Sequence, residues 1–479
     1  MTDAVASSPQ EADVSGPAQL QRNALGLPAV IMQGVAVIAP AFSAIATFQF
    51  AVGQAGVTAP LIYIAAAIVV LLVAITWGQL AKALPSAGGF YTYVSRTVHP
   101  RLGFLAAWIF SMWLPLSTTM IFGYISKVIF EPELKRAYGF TLPWWAFTVV
   151  FIGVVAYIVY RGVGLSGRTV VVLGLLEIVI VVALGVSALI DPGAGGISLA
   201  PFNPSRAPSL NALYIGVVFT VFAFTGWEGI TPMAEESKDP RRNVPRALIG
   251  SVVILAAVFV FCTWCYIVGL GTNNIAHIST SVRNPTFVLS ERLWGGAWVI
   301  LLFALFNSAV AGAVASFSAA TRLWYAMARS GALPQALAKV HPRHRTPYVA
   351  IAAEVAVCLA AFLLMLISNP LDVFTVWALV ITLGLILIYC MVSIGAYRFY
   401  HGELRSQFNV WLHLVVPVVS AAACVWVGYK SVEPLPPAPA KYAPIILAVW
   451  IGFGLTALTV LRMRGREDWM ARAGAAMDE

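Results

Sequence analysis

Apolar residues in this chain fall in long unbroken runs, at residues 61–76, 170–189 and 249–262 among others, rather than alternating with polar ones. A helix needs about 20 apolar residues to cross a bilayer, whereas a barrel strand shows about 10 alternating residues. Lipid accepts only helices and closed barrels, because every backbone polar group must be paired. The pattern therefore predicts an all-α integral membrane protein. Its roughly twelve transmembrane helices are predicted at residues 28–52, 58–82, 102–128, 143–160, 169–190, 210–234, 245–270, 294–328, 348–368, 371–397, 409–429 and 443–462.

Composition excludes a water-soluble protein. Of the 479 residues, 60% are hydrophobic and 10% are charged, against about 25% charged in a soluble domain. The net charge of +9 could indicate nucleic-acid binding, but orientation explains it better. With both termini inside, 21 of the 29 Lys and Arg residues lie on the cytoplasmic side, as the positive-inside rule requires. We therefore expect a multi-pass protein of the bacterial inner (cytoplasmic) membrane with both termini cytoplasmic and no nucleic-acid partner.

Two of the predicted spans carry breaks, at residues 33–40 and 224–232, where Gly and Pro remove helical propensity and a backbone donor. Unwound backbone is tolerated in a membrane only where protein buries it or it lines a cavity; the alternative for the first break is a packing kink. The two spans lie five helices apart, which predicts an inverted repeat with paired broken helices near the midplane. Half-helix N-termini would there present N–H groups to an anion.

The same topology predicts the domain organisation. A disordered cytoplasmic tail, 1–20, precedes a transport core at 21–397, composed of repeat one at 21–190 and repeat two at 205–397. Two further helices occupy 398–465, and a second cytoplasmic tail follows at 466–479.

Two acids lie at predicted membrane depth. Glu228 lies inside the second break and Glu177 lies in the fifth span between Leu176 and Ile178. A charged residue there costs about 2.5–3.5 kcal/mol on insertion scales, which makes it a functional candidate. Glu228 is predicted to carry a proton or to oppose a substrate ammonium; the alternative is a carboxylate that caps N–H groups of the break. Glu177 is a second candidate for proton coupling, or else a partner of a neighbouring helix.

Other chemistry finds no support in the sequence. The histidines, His277, His341, His344 and His413 among them, are scattered without metal-ligand spacing. The chain has no P-loop, G-x-S-x-G or Rossmann glycine pattern, and its five cysteines lie in apolar stretches that favour packing. We therefore expect no metal, no cofactor and no enzymatic activity.

Three stretches together carry a family resemblance. Residues 84–93 (Leu-Pro-Ser-Ala-Gly-Gly-Phe-Tyr-Thr-Tyr) resemble a P-x-A-G-G-x-Y-x-Y segment that follows a second helix. Residues 224–228 and 234–245 resemble a sixth helix with its loop, and residues 321–334 with 346–347 resemble the loop after an eighth helix. In this order and spacing they are similar to the amino acid–polyamine–organocation (APC) superfamily of transporters.

The resemblance implies a LeuT-like fold of five plus five inverted helices with two C-terminal helices, and alternating access around the first and sixth helices. In the family, the first break holds a substrate α-carboxylate and carbonyls of the sixth hold the amino group. An aromatic gate lies over the substrate at the position of Phe222. The matching substrate-binding positions are Gln33, Gly34 and Val35 on the first helix, Phe222, Ala223, Thr225 and Gly226 on the sixth, Gly312 and Ser316 on the eighth, and Trp113 and Ser117 on the third.

Two departures from the family pattern bear on the substrate and its coupling. Many members have G-S-G or G-T-G where this chain has Gln33-Gly34-Val35, so the ligand is either an atypical amino acid or an amine without that carboxylate. Sodium-independent relatives often carry a Lys in the fifth helix, but residues 169–190 contain none. The expected function is a secondary active permease for amino acids or related amines, proton-coupled through Glu228 or Glu177. The alternatives are a polyamine or small-amine permease, an exchanger, and a transporter-like sensor.

Overall fold

A computed structural model describes residues 25–86, 88–140, 142–162, 167–273, 275, 283–436, 438–465, 468 and 470 of the chain. For residues 167–170, 235 and 330 it describes the backbone alone. The predicted tails at 1–20 and 466–479 lie outside this part of the chain, apart from residues 468 and 470. The bounds of the two repeats stay a prediction.

Regular structure in the described ranges is helical, apart from one parallel bridge between Leu25 and Ser237. A π-helical turn at Ile125–Phe130 joins the helices Pro100–Tyr124 and Glu131–Tyr138, and another at Trp411–Val415 precedes the helix Val416–Lys430. The helices are α1 (Leu27–Ile38), α2 (Pro40–Ala55), α3 (Ala59–Ala83), α4 (Phe90–Thr97), α5 (Pro100–Tyr124), α6 (Glu131–Tyr138), α7 (Trp144–Arg161), α8 (Gly167–Ile190), α9 (Leu210–Ala223), α10 (Pro240–Leu270), α11 (Pro285–Trp294), α12 (Val299–Ser330), α13 (Tyr348–Ile367), α14 (Pro370–Gly402), α15 (Val416–Lys430) and α16 (Ala443–Met463).

Eleven helical stretches of the described residues are long and apolar enough to cross a membrane. The first of them, Leu27–Ala83, has 57 residues, which would extend about 85 Å as one straight helix, nearly three bilayer cores. It instead reverses at Gly56, whose φ of 57° is left-handed, before α3 begins. This stretch therefore contains two crossings, and the twelve-span prediction is confirmed.

Helix packing places the two broken spans at the centre of the bundle. α1 packs against α8, α10 and α12, while α2 packs against α9 and α12. The last helix, α16, is peripheral and contacts α5 and α14. There the indoles of Trp108 and Trp450 stack with centroids 4.7 Å apart, and each ring N–H donates to the other residue's carbonyl at 2.9 Å. The fold is thus an all-α inverted-repeat core with two added C-terminal helices.

Candidate substrate site at two broken helices

The first break lies at Ala39, where φ is 55° and ψ is 71°, between the end of α1 and the start of α2. Gln33, Gly34 and Val35 lie inside α1, so their N–H groups are engaged in helical bonds. The interruption itself lies inside the predicted break at 33–40, near its end. The break is set by Pro40, which has no N–H and restricts the residue before it. A part for residues 33–35 in substrate binding stays a prediction.

The break leaves one backbone acceptor unpaired, the Val37 carbonyl. Its helical donors would be residue 40, which is Pro, or the N–H of Ala41, which faces the Glu177 carboxylate instead. Among the described residues this carbonyl accepts no hydrogen bond. A Cβ added at Gly226 would lie 3.1 Å from its oxygen, and one added at Gly312 would lie 3.6 Å away. An unpaired acceptor flanked by two glycines can receive a ligand N–H.

The second break begins where α9 ends at Ala223. Phe222 then accepts two bonds at its carbonyl, from the Thr225 N–H at 3.0 Å and from the Thr225 hydroxyl at 2.8 Å. Gly226 has φ 116° and ψ −22°, and a 3-10 helix follows over Trp227–Glu235. Only glycine adopts such a φ at little cost, and its missing Cβ lets the two breaks meet at Val37.

Glu228 is buried next to this contact, with 1% of its surface exposed. Its Oε2 accepts a hydrogen bond from the Gly226 N–H at 3.1 Å. Its Oε1 makes no hydrogen bond of normal geometry within the described part of the chain, although the Tyr389 side chain faces the carboxylate. One oxygen therefore caps the broken helix, as the structural alternative requires, and the other is available to a proton or a cation.

Glu177 lies at the other face of the first break. Its Oε1 accepts from the Asn307 amide at 2.6 Å, and the Ala41 N–H and the Ser308 hydroxyl also face the carboxylate. The Phe42 N–H donates to Ser308 Oγ at 3.1 Å. The first free N–H groups of α2 are therefore directed at protein acceptors. Since a helix N-terminus carries about half a positive charge, the Glu177 carboxylate lies where the α2 dipole favours a negative group.

The remaining predicted site residues divide into two groups. Gly312 borders the first break, and Ser316, 8% exposed, lies one turn further along α12. Trp113 and Ser117 lie on α5. Trp113 lines a cavity of about 10 Å³ against α14, and the Ser117 hydroxyl donates to the Leu114 carbonyl at 2.8 Å. The role of these α5 residues in binding stays a prediction.

Aromatic side chains pack on both sides of the breaks. Towards the α2–α3 turn, Phe222 meets Phe374 edge-on at 6.1 Å, and Phe374 stacks on Phe50 at 5.5 Å. On the opposite side, Trp77 packs against Trp227 at 5.2 Å and Tyr389 at 5.8 Å. The two aromatic clusters therefore flank the breaks, one towards the α2–α3 turn and the other towards the end of α3.

An ion-pair network joins α6 to the start of α11 and its preceding loop. Glu133 is 2% exposed, and it accepts from Arg283 Nε at 2.6 Å and from Arg136 Nη2 at 3.0 Å. The same two arginines bind Glu291 at 2.6 and 2.8 Å. Hydrogen bonds from Arg283 and Arg136 hold the pKa of Glu291 below its ordinary value. The adjacent Asn284 amide donates to the Ile45 carbonyl at 3.3 Å, so the network fixes the start of α11 onto α2.

Sequence reasoning missed several residues of this site. Val37, Ala39 and Asn307 were not singled out, although the Ala39-Pro40 pair was a readable signal for the break. A third acid, besides Glu177 and Glu228, also lies deep in the bundle. Glu354 on α13 is fully buried, and neither of its oxygens has a hydrogen-bond partner among the described residues. An acid inside the apolar run 348–367 was the signal for it. The described residues hold no group of three or more His, Cys, Asp or Glu that could bind a metal; His277 is not among them.

Paired broken helices that meet at an unpaired carbonyl and a buried acid, inside a twelve-span bundle, define a membrane transporter. The family profile described as "Amino acid permease" matches residues 29–461. The chain belongs to this family, which is part of the APC superfamily, and it is a multi-pass membrane transporter rather than an enzyme.

Three relatives show which kinds of transporter this chain is similar to. The low-affinity putrescine importer PlaP of Escherichia coli is 29% identical over 350 residues, which cover 71% of this chain and 74% of that protein. The methylthioribose transporter of Bacillus subtilis is 24% identical over 431 residues, covering 85% and 86%. The serine/threonine exchanger SteT of Bacillus subtilis is 25% identical over 371 residues, covering 74% and 78%.

Proposed function

We propose that this protein is a secondary active permease that moves amino acids or related amines by alternating access, and that a substrate ammonium group binds between the two breaks. The observation that carries this proposal is the unpaired Val37 carbonyl between Gly226 and Gly312. A carbonyl without a donor suits an ammonium, which has three N–H donors and no acceptor.

The charges around the breaks favour a cationic group over an anionic one. On one side of the meeting point, Glu228 contributes an oxygen that makes no hydrogen bond of normal geometry to the described residues, and Glu177 occupies the N-terminus of α2 on the other. A substrate carboxylate between the breaks would have to approach both acids, and the α2 N-terminus that could bind it is already occupied by Glu177. Small amines without a carboxylate are therefore favoured within the proposed class, and amino acids are the second candidate.

The names of the relatives are compatible with both candidates. One imports putrescine, which is a diamine, and another exchanges serine and threonine. Identities of 24–29% do not choose between them, so the substrate preference rests on the charges at the breaks.

We further propose proton coupling through Glu228, with Glu177 as the second candidate. A carboxyl group can accept a proton when its ammonium partner leaves, so the empty carrier returns without a buried unpaired charge. Exchange of one amine for another would restore the same balance without a proton. We propose the orientation that fits the positive-inside rule, with the protein in the inner membrane of a bacterial cell and both termini in the cytoplasm.

The test uses purified protein and pairs of ligands that differ only by one carboxylate: putrescine with ornithine, and cadaverine with lysine. Thermal stabilisation by each compound would be measured first. Labelled uptake into liposomes would follow, with and without an inward proton gradient, for wild type, Glu228→Gln and the control Glu131→Gln. Glu131 is a matched acid, partly exposed and paired with Lys127 at 3.2 Å away from the breaks.

The expected result is stronger stabilisation by each amine than by its amino acid, uptake that follows the gradient, and loss of gradient dependence in Glu228→Gln alone. Uptake that ignores the gradient but requires internal substrate would establish an exchanger and remove Glu228 from coupling. Stronger binding of the amino acids would reject the preference for amines. If no amine and no amino acid binds, the substrate class is wrong.

A further inference from the structure

The loop between α12 and α13 contains a turn that is built around His341. The His341 N–H donates to the Thr346 carbonyl at 2.8 Å, and the Arg345 N–H donates to the His341 carbonyl at 2.9 Å. Inside this turn, His341 Nδ1 accepts two further bonds, from the backbone N–H groups of Arg343 and His344, each at 3.2 Å. One imidazole nitrogen therefore pairs two backbone donors of the turn.

The same turn is attached to the end of α7. The Thr346 hydroxyl donates to the Tyr160 carbonyl at 2.9 Å. The Tyr160 ring packs against His341 and His344 at centroid distances of 5.5 and 5.3 Å. Gly162 has φ 63°, and a Cβ added there would lie 3.1 Å from the His344 carbonyl oxygen, so glycine permits this close approach. The turn thus joins α12, the helix that borders the first break, to α7.

The surroundings of the two histidines disfavour a further positive charge. Their rings stack with centroids 4.8 Å apart. The titratable and charged groups that face them are aromatic or basic, namely Tyr160 and Arg161 of α7, Arg343 of the loop and Tyr348 of α13. Desolvation, followed by repulsion from His341, Arg161 and Arg343, lowers the pKa of His344. None of these neighbours is an acid, so none of them offers a counter-charge to a proton bound here.

We infer that His341 is a pH-sensitive latch, which holds this loop on α7 while its ring is neutral and releases it when the ring is protonated. A neutral imidazole has one nitrogen that accepts a hydrogen bond, whereas an imidazolium donates at both. Protonation of Nδ1 would therefore break the bonds from Arg343 and His344 and place a cation against the His344 ring. A released loop takes up the proton without these costs, so the attached loop loses stability as the pH falls.

Histidine is the side chain that ordinarily changes charge within the physiological pH range. In the proposed orientation, this end of the bundle faces the cytoplasm, so the latch would respond to cytoplasmic acidification. None of the residues that build it belongs to the candidate substrate site. The inference therefore depends neither on the substrate nor on proton coupling.

The experiment measures amide hydrogen exchange of the purified full-length protein in detergent, resolved to single residues. It is run about one pH unit above and about one below 6.5, the ordinary pKa of a histidine side chain. Each rate is divided by that of an unstructured amide at the same pH to give a protection factor. The reporting amides are those of Arg343 and His344. The reference is the Leu371 amide, which donates to the Asn369 side chain at 3.0 Å in a cap without a titratable group.

Two variants separate the roles of the histidines. His341→Asn keeps a side-chain acceptor for the two backbone N–H groups but cannot take up a proton. His344→Gln removes the neighbouring titratable ring and keeps His341. An imidazole of ordinary pKa passes from about one-tenth to about nine-tenths protonated over this pH range. An opening that accompanies protonation should therefore become at least about tenfold more frequent.

Protection of both reporting amides is expected to fall by that factor in the wild type and in His344→Gln, to stay constant in His341→Asn, and to stay constant at Leu371 in all three proteins. A wild-type fall no larger than that at Leu371 would overturn the inference, as would an equal fall in His341→Asn. If His341→Asn shows no protection at either pH, His344→Gln decides: a tenfold fall there assigns the latch to His341, and constant protection rejects it.

Discussion

The contact between the two breaks is tested by adding one methyl group, in the variant Gly226→Ala. Gly226 has φ 116°, and a non-glycine residue in such a region costs about 1–3 kcal/mol. The new Cβ would also lie 3.1 Å from both Val37 O and Val37 Cγ1, closer than ordinary van der Waals contact. At about 2 °C per kcal/mol for a large domain, we expect the Tm to fall by roughly 2–6 °C.

Transport should suffer more than stability. The added methyl displaces the carbonyl that we propose as an ammonium acceptor, and each 1.4 kcal/mol of lost binding weakens affinity about tenfold. Tm and labelled uptake would be measured together. The matched control is Gly153→Ala on α7, where an added Cβ meets nothing within 4 Å and alanine should stabilise the helix by about 0.5–1 kcal/mol. A Gly226→Ala protein with unchanged Tm and uptake would show that the breaks do not meet at Val37.

Three further substitutions test neighbouring features. Ala39→Gly relieves a left-handed alanine at φ 55°, so Tm should stay level or rise by the equivalent of about 1 kcal/mol; a clear fall would place the break elsewhere. Glu133→Gln weakens the acceptor shared by Arg136 and Arg283 and should lower the free energy of unfolding by about 1–3 kcal/mol. The same change at Glu131, in its exposed pair, should leave that free energy almost unchanged. Equal effects would mean that the network does not hold α11 onto α2. Glu354→Met replaces a buried acid without a hydrogen-bond partner among the described residues and should raise Tm at pH 7; a lower Tm would mean that Glu354 has a stabilising partner.

Sequence reasoning recovered the fold because the bilayer imposes it. A run of about 20 apolar residues is stable in lipid only as a membrane-spanning helix. The twelve crossings could therefore be predicted from the positions of the apolar runs. Glycine and proline indicated both broken spans, because few other residues interrupt a membrane helix. The second break, predicted at 224–232, contains Gly226, whose φ of 116° marks the interruption.

The first break was predicted over the broad range 33–40, and the interruption lies near its end, at Ala39. Gly34, in the same range, serves close packing against the Ile230 side chain inside α1. The helix is interrupted at Ala39 because Pro40 has no backbone N–H to donate to a helical carbonyl. Equally, sequence could not show that the Ala41 N–H faces Glu177, because that contact joins residues 136 positions apart. The role of a glycine or an acid in a membrane helix depends on its partner across the bundle.

Glu177 provides the sharpest test of the proposed preference for amines. Its carboxylate lies at the α2 N-terminus, where the helix dipole favours a negative group by about 0.3–1 kcal/mol. Glu177→Gln removes that charge while an amide can still meet Asn307, so a substrate carboxylate should be tolerated better. The ratio of ornithine to putrescine dissociation constants should fall about two- to fivefold, with Glu131→Gln unchanged. A ratio that stays constant would mean that the substrate never approaches this helix end, and the preference would then have to come from Glu228 alone.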